Sequence, residues 1–129
     1  MRIYIYVAVG SALGGMARYF LAGWVAARLG ELFPWGTVLI NITGSFAIAF
    51  FAALTGSGGR FLVSPEWRTF FMVGICGGYT TFSSFSLQTL NLARDGEWLL
   101  AGANVVASVV LCLAGAWLGF AAVSAMGSR

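Results

Sequence analysis

The chain has 129 residues, of which 60% are hydrophobic and only 9% are charged, and its mean hydropathy is +0.89. Soluble domains carry about 25% charged residues, so this composition is typical of an integral membrane protein. The formal net charge of +3 is spread over seven arginines and four acidic residues along the whole chain. So small and dispersed a charge does not favour nucleic acid as a partner.

Four apolar runs are each long enough to cross a bilayer as a helix, which takes about 20 residues. Short breaks that contain Pro34, Pro65 and the Asp95–Gly96 pair separate the runs. Tryptophans lie near the expected helix ends, as in the aromatic belt of a membrane interface. The sequence therefore predicts one all-α transmembrane domain over residues 1–129, with spans at about 3–28, 35–55, 67–92 and 98–125.

Arg18 lies in the middle of the first predicted span. A charged residue at this depth costs about 2.5–3.5 kcal/mol on insertion scales and usually has a functional role. Its guanidinium stays protonated, so it must face water, an anion or backbone carbonyl groups, because no predicted span contains an acidic residue. Two interpretations stay open: the side chain extends to the interface, or it is a fixed positive charge that attracts anions.

Polar residues also occur in the second and fourth spans. The amide of Asn41 offers two N–H donors, either for a neighbouring helix or for an anion. In the fourth span, Asn104, Ser108 and Cys112 recur at intervals of four residues and therefore share one helix face. That face could line a water-filled path or hold two helices together.

The third span contains the segment GICGGYTTFSSFS, residues 74–86. Gly77 and Gly78 are poor helix formers, and we expect the third helix to be interrupted near residues 77–80. A break at membrane depth is tolerated where the backbone is buried in protein or lines a cavity, and a small cation would suit the freed carbonyl oxygens. Phe82 and Phe85 share a helix face, and the partly positive edges of their rings could receive an anion. Simple core packing is the alternative for this pair.

The distribution of arginines gives only a weak signal for membrane orientation. Four crossings place both termini and the second loop on one side, and positive charge in short loops favours the cytoplasm. A chain with so slight a bias is expected to insert both ways round, and inverted copies could pair as an antiparallel homodimer. The arginines on the first side are Arg2, Arg60, Arg68 and Arg129, and those on the other are Arg28 and Arg94.

Three segments resemble the Fluc (CrcB) family of fluoride ion channels, which are small four-helix membrane proteins. They are GGMARY (14–19), WGTVLINITGSF (35–46) and the 74–86 segment, and the resemblance covers essentially the whole chain. It implies an antiparallel, dual-topology homodimer in the plasma membrane, the inner membrane of a bacterium. It also implies a fluoride-specific channel that passively exports fluoride and lowers its cytoplasmic concentration.

The resemblance also implies roles for individual residues. Backbone oxygens of Gly77 and Thr80 would bind a central structural Na⁺ that is shared by the two subunits and is not transported. The chain departs from the family at Gln88, where glutamate is usual, and at Cys112, where serine is common. The implied anion pathway comprises Asn41, Thr81, Phe82, Ser84, Phe85 and Ser108, with Arg18 at the aqueous vestibule.

Three other functions are alternatives to a channel, and one of them, a purely structural assembly factor, would be separated from a channel by ion flux in liposomes. A dual-topology small-multidrug transporter has a similar size, but proton-coupled export of cations needs a carboxylate inside the membrane, and no predicted span contains one. An enzyme is disfavoured because histidine, lysine and paired carboxylates for acid–base chemistry are lacking. The expected partners are fluoride, the lipid bilayer and an inverted copy of the chain.

Overall fold

The computed structural model describes residues 1–127, and every regular element in that range is helical. Four helical stretches are long and apolar enough to cross a membrane, which confirms the predicted all-α fold with four spans. Three are continuous helices: α1 (Arg2–Leu29), α2 (Trp35–Thr55) and α6 (Trp98–Gly127). The third, Pro65–Arg94, consists of α3 (Pro65–Thr69), a π-helical segment (Phe70–Cys76), α4 (Gly77–Tyr79) and α5 (Phe82–Arg94).

Local sequence signals explain where the third span begins and ends. Ser64 precedes α3, and its hydroxyl oxygen accepts a hydrogen bond from the Trp67 backbone N–H, while Pro65 occupies the first turn. At the other end, Gly96 has a φ of 81°, and the Glu97 N–H bonds to the Leu92 carbonyl oxygen at 2.8 Å. A glycine in the left-handed region is the usual way to close a helix. The sharp turn lets α6 return beside α5.

The third span is broken, as predicted, but the break lies after the glycine pair. Gly77 and Gly78 belong to α4, and Gly77 has helical angles of −64° and −39°. The extended residues are Thr80 (φ −81°, ψ 155°) and Thr81 (φ −152°, ψ 112°). The interruption expected near residues 77–80 is therefore confirmed at Thr80. Its attribution to the glycine pair was wrong, because β-branched threonines accept an extended backbone readily.

Gly78 is needed for packing against α1. A methyl group on its Cα would lie 2.6 Å from the Ser11 carbonyl oxygen. Gly74, in the π-helical segment, faces α1 in the same way, with Gly10 as its neighbour; a methyl group at Gly74 would lie 2.9 Å from the Gly10 Cα. Glycines at these positions let the two backbones touch, as small residues do between membrane helices.

The other main helix contacts join α2 with α6, α1 with α2 and α5 with α6. Gly115 and Gly119 of α6 are buried against α2, where the lack of a side chain lets the two helices pack closely. The broken span thus lies against α1 on one side and near α2 and α6 on the other. Large apolar side chains cover the outer faces of the helices, as expected for a protein in lipid.

An exposed glycine elsewhere in the chain gives a matched test of this packing. Gly78→Ala should lower the stability of the detergent-solubilised protein by about 1–3 kcal/mol, because the methyl group collides with the backbone of α1. Gly102→Ala is the control, since Gly102 is exposed on α6 and a methyl group there meets no atom of the described residues within 4 Å. Thermal unfolding of both variants measures the difference. A loss at Gly102 as large as the loss at Gly78 would contradict the packing described.

Candidate functional site

A cavity of about 410 Å³ lies between α2, α6 and the broken third span. Most of the residues singled out from the sequence line it: Asn41, Gly77, Thr80, Thr81, Phe82, Phe85 and Ser108. Arg18 and Ser84 do not. None of the described side chains in the lining is a carboxylate, an ammonium or a guanidinium, so the cavity carries dipoles and ring edges rather than full charges.

Asn41 lines the cavity and pairs with the backbone of Thr81 at the break. Its Nδ2 donates to the Thr81 carbonyl oxygen at 3.0 Å, and its Oδ1 accepts from the Thr81 N–H at 2.8 Å. Thr81 is no longer helical, and the Asn41 side chain supplies it with the donor and the acceptor that other peptide groups would supply in a helix. The interhelical role considered for Asn41 is confirmed, and one of its two N–H donors is left over for a ligand.

The break diverts two backbone donors from their usual helical partners. In a continuous α-helix the N–H of residue i+4 bonds to the carbonyl oxygen of residue i, so Thr81 would bond to Gly77 and Ser84 to Thr80. Instead the Thr81 N–H bonds to Asn41, and the Ser84 N–H bonds to the Thr81 hydroxyl oxygen at 3.2 Å. The carbonyl oxygens of Gly77 and Thr80, both on residues that line the cavity, lose these donors.

Arg18 satisfies another carbonyl oxygen released by the break. Its Nε donates to the Gly78 carbonyl oxygen at 3.2 Å, across the contact between α1 and α4. Of the three environments considered for this guanidinium, the structure gives a backbone carbonyl. The positive charge therefore lies beside the break, on the α1 side, and not among the residues that line the cavity.

Phe82 and Phe85 form an aromatic pair at the start of α5. Their ring centroids are 5.3 Å apart and the ring planes are inclined by 50°. Both line the cavity, and Phe82 is 77% exposed in a single copy of the chain. A ring this exposed is accessible from the adjacent space, and its edge carries partial positive charge.

The hydroxyls of Thr81 and Ser84 form the cap of α5. Thr81 Oγ1 accepts from the Ser84 backbone N–H and lies 3.1 Å from Ser84 Oγ and 3.3 Å from Ser83 Oγ. This local cluster starts the helix at Phe82. Thr81 lines the cavity, whereas Ser84 does not line it and contacts Thr81 through hydrogen bonds.

Ser108 approaches the cavity from α6, where it is 7% exposed. Its hydroxyl donates to Oδ1 of Asn104 at 3.3 Å, and Asn104 is in turn bonded to Thr89 of α5. Of the two roles considered for the polar face of the fourth span, the joining of helices is confirmed, while a water-filled path stays a prediction. Ser108 and Cys112 line the cavity, whereas Asn104 joins two helices.

Several lining residues were not predicted as site residues. Ser45 and Ile48 follow Asn41 by one and two turns of α2, so helical periodicity alone could have found them. Cys76 also lines the cavity, together with Cys112, which belongs to the face predicted on the fourth span. The residue type alone does not indicate that a cysteine lines a cavity, because cysteine commonly serves as a small apolar residue in helices.

Gln88, the departure from the family pattern, lies at a second cavity of about 450 Å³ near the α1–α2 loop. Its Oε1 is buried and has no hydrogen-bond partner among the described residues. The neutral amide therefore does not replace a carboxylate in the first cavity.

Comparison with known proteins agrees with this architecture. The family model described as "CrcB-like protein, Camphor Resistance (CrcB)" matches residues 5–120. The chain belongs to the CrcB family. A relative from Rhodospirillum rubrum is 61% identical over 116 residues, covering 90% of each chain, and one from Opitutus terrae is 56% identical over 128 residues, covering 99% of this chain and 97% of the relative. A relative from Paramagnetospirillum magneticum is 61% identical over 122 residues, or 95% of each chain. All three are named "Fluoride-specific ion channel FluC".

Membership of the CrcB family and the four helices able to span a bilayer make the chain a multi-pass membrane protein. The relatives' name denotes an ion channel and not an enzyme. Within this CrcB protein, the break, the amide of Asn41 and the aromatic pair meet at one cavity.

The Asn41–Thr81 pair can be tested by removing the amide. Asn41→Ala leaves a backbone donor and acceptor of Thr81 without their partner, and each part-buried group costs about 1–3 kcal/mol. We expect a loss of about 2–4 kcal/mol in the free energy of unfolding in detergent. Asn91→Ala is the control, because Asn91 is exposed on α5 and should change stability by no more than about 0.5 kcal/mol. Equal effects in the two variants would contradict the role of the pair.

Proposed function

We propose that the protein is a passive fluoride channel of the bacterial inner membrane, which lets fluoride leave the cytoplasm down its gradient. The observation that carries the proposal is the meeting of the Phe82–Phe85 pair and the Asn41 amide at a cavity whose described lining has no carboxylate, ammonium or guanidinium. Membership of the CrcB family and the shared name of the relatives support fluoride as the ion.

The physical requirements of fluoride fit this lining. A small, strongly hydrated anion gives up its water only where several donors replace it. Conduction requires each site to be weak enough for the ion to leave. The free N–H of Asn41 and the two ring edges are neutral donors of this kind. A lysine or arginine in the cavity would bind fluoride too strongly, because charges interact strongly where water is scarce.

The proposed pathway runs through the cavity along Asn41, Phe82, Phe85 and Ser108. Thr81 contributes at the break, and Ser84 acts through its contact with Thr81. Arg18 is proposed to stand near the aqueous entrance, where its charge attracts anions while its Nε holds the Gly78 carbonyl oxygen.

Proton-coupled export of cations, the alternative, is not supported by the positions of the acidic residues. Such a mechanism needs a carboxylate within a span. Glu31, Asp95 and Glu97 lie in loops, Glu66 lies in the first turn of α3, and none of them lines the cavity.

We also propose that two inverted copies form the channel. In one copy the cavity is open beside Gly77 and the Phe82 ring is mostly exposed, and a second copy could cover both. The near balance of arginines between the two sides of the membrane supports insertion in both orientations.

A structural Na⁺ fits the backbone at the centre of such a pair. Gly77 and Thr80 have lost their helical donors and line the open side of the cavity, and hard carbonyl oxygens suit a small cation. One chain offers two such oxygens, so inverted copies would offer four. The ion would neutralise the partial charges of these carbonyl groups and join the copies without being transported.

The main test is fluoride efflux from liposomes that contain the purified protein. We expect rapid efflux of fluoride and little efflux of chloride. Liposomes that retain fluoride as well as protein-free liposomes do would reject the channel.

The aromatic pair gives a sharper test. Phe82→Ile and Phe85→Ile keep a bulky apolar side chain but remove the polar ring edge, so we expect at least a ten-fold loss of fluoride efflux with near-normal folding. Phe120→Ile, an exposed phenylalanine of α6 outside the cavity, is the control and should retain efflux. Normal efflux in both pathway variants would assign the rings to packing alone.

Dual topology is tested by labelling a tag at the C-terminus of the full chain in intact and permeabilised cells. The proposal requires a labelled fraction on each side of the membrane. Labelling on one side only would rule out inverted copies.

The Na⁺ proposal predicts that efflux falls when a much larger monovalent cation replaces Na⁺ on both sides of the liposome membrane. Thr80→Ser should keep the Na⁺ dependence, because the ligand is the backbone and serine retains the hydroxyl that bonds to the Cys76 carbonyl oxygen. Efflux that is indifferent to the cation would contradict the proposal.

A further inference from the structure

A chain of hydrogen bonds runs behind the cavity from α6 to α5. Ser108 Oγ is bonded to Asn104 Oδ1 at 3.3 Å, and Asn104 Nδ2 to Thr89 Oγ1 at 2.9 Å. Thr89 Oγ1 is bonded in turn to the carbonyl oxygen of Phe85 at 2.7 Å. The chain therefore links a cavity hydroxyl to the backbone of one of the two aromatic residues. Asn104, at its centre, is only 1% exposed.

The direction of every bond in this chain follows from its last member. A threonine hydroxyl has one proton, and at Thr89 that proton goes to the Phe85 carbonyl oxygen, which can only accept. Thr89 must then accept from Asn104, so the NH₂ group of the amide points to Thr89 and its oxygen points to Ser108. An amide oxygen cannot donate, and so the Ser108 proton is directed to Asn104 and away from the cavity.

We propose that Asn104 is a positioning residue that weakens anion binding at Ser108 by competing for its single hydroxyl proton. The proposal rests on the proposed fluoride pathway, since it concerns one hydroxyl along it. With its proton bonded to Asn104, Ser108 presents lone pairs to the cavity, and these repel an anion.

Fluoride can gain the Ser108 proton in two ways, and each breaks a hydrogen bond. The hydroxyl can rotate and leave Asn104 Oδ1 unpaired, where burial keeps water from replacing it. Alternatively the amide can reverse, which forces Thr89 to withdraw its proton from Phe85. Either cost makes the site at Ser108 weaker than a free hydroxyl would be, and weak sites are what conduction needs.

The test is a double-mutant cycle on the full chain in liposomes, with Asn104→Leu, Ser108→Ala and the combined variant. Leucine matches asparagine in shape and removes the competing oxygen. We expect Asn104→Leu to lower the fluoride concentration that half-saturates efflux by about five-fold, the worth of one net hydrogen bond. In the Ser108→Ala background the same substitution should have no effect on that concentration. A change of equal size in both backgrounds, no change, or weaker binding would overturn the proposal.

A second measurement needs no fluoride transport. In NMR spectra of the detergent-solubilised protein, the side-chain amide protons of Asn104 are assigned by their loss in Asn104→Leu. Thr89→Val removes the acceptor of one of them, so we expect it to shift by more in this variant than in Ser108→Ala. A larger shift in Ser108→Ala would mean that the amide has the opposite orientation, and would overturn the proposal.

The two measurements also separate this proposal from the proposed function. If the wild type passes no fluoride, the channel is rejected and the proposal on anion binding fails with it, even when the NMR shifts confirm the orientation of the amide. If the wild type conducts but the cycle shows no coupling between Asn104 and Ser108, the channel stands and only this proposal fails.

Discussion

The paired hydrogen bonds between the Asn41 side chain and the Thr81 backbone are the interaction on which the rest of the site depends. An extended segment within a membrane span has peptide groups that no lipid can satisfy, and each unpaired group costs several kcal/mol. One amide side chain satisfies both groups of Thr81 at once. These two bonds attach α2 to the third span just before α5 begins at Phe82. Because the Thr81 N–H bonds to Asn41, the Gly77 carbonyl oxygen lacks the donor that it would have in a continuous helix.

The polar groups near the break are divided between two sides of the third span. On the α1 side, a full positive charge is bonded to a carbonyl oxygen, and the glycines of α1, the π-helical segment and α4 let the helices touch. On the cavity side, the described lining has no carboxylate, ammonium or guanidinium, and its polar groups are an amide, hydroxyls and backbone dipoles beside aromatic rings. A buried charge of opposite sign would bind a permeating ion tightly and slow its release. A lining without full charges therefore suits the proposed passage of fluoride.

Much of the fold could be predicted because it follows from composition and from local signals. Apolar runs of the right length gave the four spans, and Pro65 and Gly96 lie where the third span begins and ends. The break was predicted near residues 77–80, and the chain leaves the helix at the last of them, Thr80. Glycine propensity suggested Gly77 and Gly78 as its cause, whereas the packing of Gly78 against α1 and the pairing of Thr81 with Asn41 depend on helices that are distant in sequence.

The same limit applies to the candidate site. Asn41, Phe82 and Phe85 could be named from their residue types and spacing, and the structure brings them to one cavity. The bond between Arg18 and Gly78 joins residues sixty positions apart, so no local pattern contains it. The direction in which Ser108 donates depends on Thr89, which lies on another helix and carries no signal of its own.

The π-helical segment Phe70–Cys76 has a consequence for how this span can change in evolution. A π-helix holds more residues per turn than an α-helix, because each N–H bonds five residues back instead of four. The segment can therefore absorb an extra residue while Pro65 stays at one end of the span and the threonine pair at the other. A homologue that lacks one residue here could form an ordinary α-helix and keep the break at the same depth. The length of the first half of the span is thus free to vary by one residue, whereas the segment from Gly77 to Phe85 is fixed by its contacts on both sides.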